Sequence, residues 1–104
     1  MTIQINTDKT ISGEKRTEDF FTSQIEEALQ RFESHITRVE VHLKDENGKK
    51  DGFNDISCLL EARLEGRQPI AVTNQAETVD LALSGAIEKI KTAVESIVGK
   101  MQQH

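Results

Sequence analysis

The chain has no tryptophan or tyrosine, one proline, one cysteine and only four phenylalanines among its 104 residues. Each scarcity narrows what the protein does. Aromatic rings are the surfaces on which unpaired bases and sugars stack, so a stacking platform is hardly available. A lone Cys58 excludes an internal disulfide, and no Cys/His group has the spacing of metal ligands. No apolar run approaches the roughly 18 residues of a membrane span. The opening Met1-Thr2-Ile3-Gln4-Ile5-Asn6 lacks the basic and apolar regions of a signal peptide, so a cytoplasmic protein with no membrane partner is expected. Gly13, Gly48, Gly52 and Gly66 are scattered, with no glycine-rich loop ahead of a helix to cradle a phosphate.

What is present is an ordinary globular composition, 36% hydrophobic and 30% charged. The length suits one domain over 1–104, and about two-thirds of the unfolded surface can be buried at this size. The net charge is −5, distributed as −3 over residues 1–34, −1 over 35–73 and −1 over 74–104. No segment is basic. That argues against a large phosphate-binding face, although a local basic patch is compatible with an acidic molecule.

The hydrophobic pattern predicts the order β-α-β-β-β-α. Ile3 and Ile5 alternate with polar residues in a short strand over Thr2–Asn6. Residues 7–16 are polar and read as a connection. Phe21, Ile25, Ala28, Leu29 and Phe32 then follow helical intervals, which gives a helix over Thr17–Ser34 with Glu18 and Asp19 near its positive end. Ile36–Lys44 reads as a strand with Val39, Val41 and Leu43 on one side and Arg38, Glu40, His42 and Lys44 on the other. Asp45–Asn54 has loop composition. Ile56, Cys58, Leu60, Ala62 and Leu64 alternate with polar residues in a third strand, which leaves Leu59 on the outer side. Gly66–Pro69 reads as a tight turn, and Ile70–Thr73 as the last strand. Val79, Leu83, Ala86, Ile87, Ile90, Val94, Ile97 and Met101 mark a long helix, with Asn74 or Thr78 as its cap. The expected fold is α+β, a four-stranded sheet with two helices packed on one face, similar to the double-stranded-RNA-binding arrangement.

Catalytic constellations are not supported. His42 and Cys58 have opposite strand parity, which puts a sheet between them, so Cys58 reads as a small buried hydrophobe. The run from Asp45 begins like a calcium loop but has Lys49, Lys50 and Ile56 where an oxygen ligand, Gly and Glu are required. Glu26/Glu27 and Asp45/Glu46 read as solvated neighbours. An enzyme is not expected, nor is a cofactor or a metal. What remains is a distributed set of bases: Arg38, Lys44, Arg63, Arg67, Lys89, Lys91 and Lys100, interleaved with Glu40, Glu61, Glu65, Glu88 and Glu95. Such an alternation is most simply a solvated surface.

Several segments carry a resemblance that covers nearly the whole chain. They are Ile3-Gln4-Ile5, Leu29-Gln30-Arg31-Phe32 with Ile36 and Val39-Glu40-Val41-His42-Leu43, and Ala82-Leu83-Ser84-Gly85-Ala86-Ile87-Glu88-Lys89-Ile90. In order and spacing they resemble the ribosome hibernation-promoting factors and ribosome-associated inhibitors, also called sigma-54 modulation proteins. The runs Asp45-Glu46-Asn47-Gly48 and Glu61–Arg67 look like an acidic sub-branch. The resemblance implies binding to the small ribosomal subunit where mRNA and tRNA sit, with translation blocked and idle ribosomes stored under stress. It implies contacts from basic side chains along the helices to rRNA phosphates; the bases expected to bind small-subunit rRNA here are Lys89, Lys91, Arg31, Arg38, Arg63 and Arg67. Lys89 matches the family's lysine, whereas Thr92 and Ser96 stand where members commonly have Arg or Lys. With the chain ending at His104, the dimerisation domain of the long members is expected to be absent. A second function fits the acidic balance: a protein-interaction module that keeps the fold, has lost the rRNA site, and uses the open sheet face around Leu59.

Overall fold

Alternating strands and two amphipathic helices assemble as the pattern requires. The computed structural model describes residues 1–7, 15–46 and 56–101. Strand β1 (Thr2–Thr7) is followed by helix α1 (Lys15–Leu29), a 3-10 segment (Gln30–His35), β2 (Ile36–Asp45), β3 (Ile56–Leu64), β4 (Ile70–Ala76) and α2 (Val79–Met101). The sheet order is β1-β2-β3-β4, with β1 parallel to β2 and the other pairs antiparallel. A parallel pair needs a crossover, and α1 supplies it. Both helices lie against one sheet face, and α2 packs chiefly on β3 and β4. Apart from Asp45 and Glu46, the loop expected at 45–54 lies outside the described residues, as does most of the connection at 7–16.

The core forms between the helices and one sheet face. Ile25, Leu29, Val39, Val41, Leu60, Leu83, Ile90 and Val94 are its largest fully buried aliphatic side chains. Every β3 residue expected to face inward is buried, from Ile56 through Leu64. Val98 and Ala82 join them from α2, widening its apolar stripe beyond the residues read from the pattern.

Several elements differ from expectation. The first helix starts two residues earlier, at Lys15, and its α-form stops at Leu29. The next six residues tighten to 3-10, in which positions three apart eclipse. Leu29 and buried Phe32 are spaced to suit that geometry, so the change of period keeps both rings of contacts on the core. In β2, strict alternation would send Ile36 to the open face. The register shifts between Ile36 and Arg38, and that bulge returns Ile36 to the core, where it is buried.

The turn after β3 closes earlier than Gly66–Pro69, because the Arg67 amide donates to the Leu64 carbonyl at 3.1 Å. Gly66 is then the third turn residue, with φ of 74°, a position that favours glycine. Strand β4 runs three residues past Thr73. Asn74 points inward there, yet it is satisfied: its amide donates to the Ala82 and Leu81 carbonyls at 3.1 and 3.4 Å. Gly85 makes room for it, since a Cβ at that position would lie 2.1 Å from the Asn74 amide nitrogen. Of the two candidate caps for α2, Thr78 takes the role, its hydroxyl accepting the Leu81 amide at 3.2 Å.

Candidate functional site

The sheet face turned away from the helices carries side chains from all four strands. The register sets Gln4 beside Glu40, Glu40 beside Glu61, and Arg38 directly beside Arg63. Like charges opposite one another on neighbouring strands repel. Glu40 relieves this: its two carboxylate oxygens lie 3.6 Å from Arg38 and 3.6 Å from Arg63. Arg63 also donates from Nε to Glu61 at 3.2 Å. Arg38 is held on its other side by Gln4, whose side-chain oxygen accepts from the guanidinium. With that oxygen committed, the Gln4 amide nitrogen donates to Asn6 at 3.2 Å, and Asn6 in turn donates to the Val41 carbonyl at 3.3 Å. The relay runs in one sense, from the guanidinium to a backbone carbonyl of β2, and it fixes how both amides are oriented.

The six bases expected to act together are distributed over two faces. Arg38 and Arg63 form the pair just described. Arg67 is exposed in the turn beyond β3, and the neighbouring Glu65 amide donates to the His35 carbonyl at 3.0 Å. That bond brings the 3-10 segment, with Arg31 on it, to the same end of the molecule. Arg31 lies over the Phe32 ring, 5.1 Å from its centroid. The two lysines stand apart from this group and from each other. Two residues of an α-helix are about 200° apart around its axis. Lys89 accordingly leans to the sheet edge, donating to the Thr73 carbonyl at 2.7 Å. Lys91 instead lines the groove between the helices, near Glu27, Ala28 and Ile87. Thr92 and Ser96 are exposed on α2, and the Thr92 hydroxyl donates back to the Glu88 carbonyl at 3.0 Å.

Charge is unevenly divided between the faces. From residue 15 to 35 the first helix and the 3-10 segment carry Glu18, Asp19, Glu26, Glu27 and Glu33 against Lys15, Arg16 and Arg31. A phosphate backbone is repelled by such a surface at low salt. The open sheet face carries Arg38, Lys44 and Arg63 against Glu40 and Glu61, with half-buried Leu59 between His42 and Thr73. Two features escaped the sequence reading: Glu40 as the bridge between two arginines, and the Gln4–Asn6 relay behind Arg38. Strand parity was their only trace, since it placed Gln4, Arg38, Glu40 and Arg63 on polar sides.

Cys58 and His42 lie on opposite sides of the sheet, as parity requires. Cys58 is fully buried, whereas His42 is exposed. Burial pushes the Cys58 thiol from 9.0 up to about 12. The neutral thiol is the form the fold favours, so its contribution to stability is complete below about pH 9 and lost as pH rises towards 12. Across that window the folding equilibrium of the wild type should fall up to tenfold more per pH unit than that of Cys58→Ala. Urea titrations at successive pH values measure the difference. At pH 8 a disulfide reagent should modify one thiol per chain in urea and none in the native protein. Among the described residues, no group of three or more His, Cys, Asp or Glu is placed to hold a metal ion.

The arrangement defines a two-layer α+β domain, with helices on one face and a charged, partly apolar open sheet on the other. The same fold occurs in the N-terminal domain of Protein Y from Thermus thermophilus, with a TM-score of 0.75 and 14% identity over 93% of this chain and 99% of that one. It occurs again in a ribosomal subunit interface protein from Coxiella burnetii, with a TM-score of 0.70 and 12% identity over 95% of this chain and 99% of that one. At those identities the likeness is one of fold. The sequence itself matches the sigma 54 modulation protein / S30EA ribosomal protein family over residues 9–102, and the chain belongs to that family. No curated protein matches it.

Proposed function

We propose that this protein associates with the ribosome, binds rRNA of the small subunit, and inhibits translation or stabilises idle ribosomes under stress. It acts as a single cytoplasmic domain by occupying a surface, without catalysis. The observation that carries the reading is membership of the S30EA family across residues 9–102. The surface is consistent with it: Arg31, Arg38, Arg63 and Arg67 lie towards the end where β3 turns into β4, the two on the open face held in fixed poses. Arginine forks pair phosphate oxygens bidentately, while Lys89 and Lys91 would add point charges from α2. No DNA target is proposed. Sucrose gradients of extract from starved cells test the reading. The protein should travel with small subunits or whole ribosomes at low salt and leave them at high salt; recovery only at the top of the gradient under both conditions would refute it.

A second reading is favoured by one observation, the pairing of Arg38 and Arg63 with Glu40 and Glu61 on the face that also carries Leu59. Alternating signs about an apolar residue suit a protein partner more than a polyanion. On this reading Leu59→Glu abolishes capture of that partner, whereas the ribosomal reading has it leave ribosome association intact.

A further inference from the structure

The paired arginines on the open face have an unusual resident. We propose that Glu40 occupies the place of an RNA phosphate between Arg38 and Arg63, so that binding exchanges an internal carboxylate for a phosphodiester of the RNA backbone. The inference rests on the rRNA-binding reading and names the residue that limits affinity at that surface.

Arg38 and Arg63 are direct cross-strand neighbours, and their guanidinium groups converge on a single anionic side chain. Two guanidinium groups converging on one anion make a two-armed fork able to take a phosphate, each arm offering charge-assisted hydrogen bonds. The resident fits loosely. Its oxygens stand 3.6 Å from both arginines, well beyond the 2.7–2.9 Å of a charge-assisted hydrogen bond. Its side chain is 20% exposed while those of Arg38 and Arg63 are 38% and 53% exposed, so a ligand reaches the arginines from solvent. Exposed ion pairs of this kind are weak and easily exchanged.

The arms are nevertheless prepared for a replacement. Arg38 is steered by the Gln4–Asn6 relay to the Val41 carbonyl, and Arg63 by the Nε bond to Glu61. Neither restraint depends on Glu40. When the carboxylate swings away, both guanidinium groups stay in position, and little ordering remains for the ligand to impose. The cost of binding is the charge of Glu40 left close to the incoming phosphate. On this reading a chain of net charge −5 holds an RNA phosphate at a local pair of arginines.

The test is titration of the purified protein with a 12-base-pair RNA duplex, and separately with inorganic phosphate, followed by NMR at the arginine Nε–H resonances. Both Arg38 and Arg63 should shift in the wild type, the duplex being bound more tightly than phosphate. Glu40→Gln should bind the duplex about fivefold more tightly, which is the loss of one exposed ion-pair equivalent. Glu61→Gln, which removes a negative charge but keeps an oxygen to accept from Arg63 Nε, should give a smaller gain, and Arg38→Ala should cancel the gain of Glu40→Gln. Amide spectra check that each variant is folded. Unchanged or weaker duplex binding by both folded glutamine variants would overturn the proposal, as would RNA-induced shifts that spare both arginines. The ribosomal reading fails separately: tighter duplex binding by Glu40→Gln without ribosome association keeps the fork and removes the ribosome as its target. Ribosome association that Glu40→Gln leaves unaltered removes the fork and keeps the ribosome.

Discussion

Leu60→Ala is expected to lower the unfolding free energy by about 2–5 kcal/mol, whereas Leu59→Ala, one residue away, should cost less than about 1 kcal/mol. Leu60 is fully buried at the middle of β3, with Val41 and Val72 beside it on the neighbouring strands and the helices above. Val41 is also fully buried and fixed by its own ladder, so the space left by a truncated side chain does not close. Small domains have about 5–15 kcal/mol of stability in total, and the loss would be a large share of it. Leu59 points to the open face and is only half-buried. Urea denaturation of the two variants measures both values, and equal losses would contradict the assignment of faces.

The second large effect concerns ribosome association. Arg38→Ala with Arg63→Ala should weaken it by at least about a hundredfold, since two charge-assisted contacts are removed together. The same pair should flatten the salt dependence by about two units in the plot of log affinity against log salt. Lys89→Ala with Lys91→Ala should cost less. Lys89 already serves the Thr73 carbonyl, and Lys91 lies in the groove beside Glu27 and Glu88. Binding isotherms from pelleting at three salt concentrations separate the pairs. A greater loss from the lysine pair would move the interface to α2.

Most of the fold was legible because the two hydrophobic periods are cleanly written. The inward residues of β2 and β3 follow alternation, and those of α2 step by three and four. The misreadings fall where a local rule yields to packing. A polar Asn74 reads as the end of β4, but the gap over Gly85 and two carbonyls of α2 let it sit inside. Ile36 breaks the alternation of β2, and only a bulge reconciles it with the core. Helical spacing does not distinguish α from 3-10 geometry when apolar residues are three apart, as Leu29 and Phe32 are.

The candidate site was less legible than the fold. Parity assigns each residue to a face, but it contains nothing about register. That Arg38 lies beside Arg63, and Gln4 beside Glu40, depends on pairings between distant segments. The sequence shows Glu40 and Glu61 as acids that dilute a basic surface. In the structure Glu40 lies between Arg38 and Arg63 and Glu61 accepts from Arg63, and on the proposed reading the same residues set what that surface can hold. Lys89 and Lys91 look like one basic patch when written side by side, yet the helical rotation between them sends one to the sheet edge and the other to the interhelical groove.

The most direct test of the account is to sediment the purified protein with isolated small and large ribosomal subunits in parallel, at low salt and again at high salt. Saturable binding to small subunits is expected at low salt, lost as salt rises, with none to large subunits. Equal binding to both subunits, or binding to neither, would contradict it.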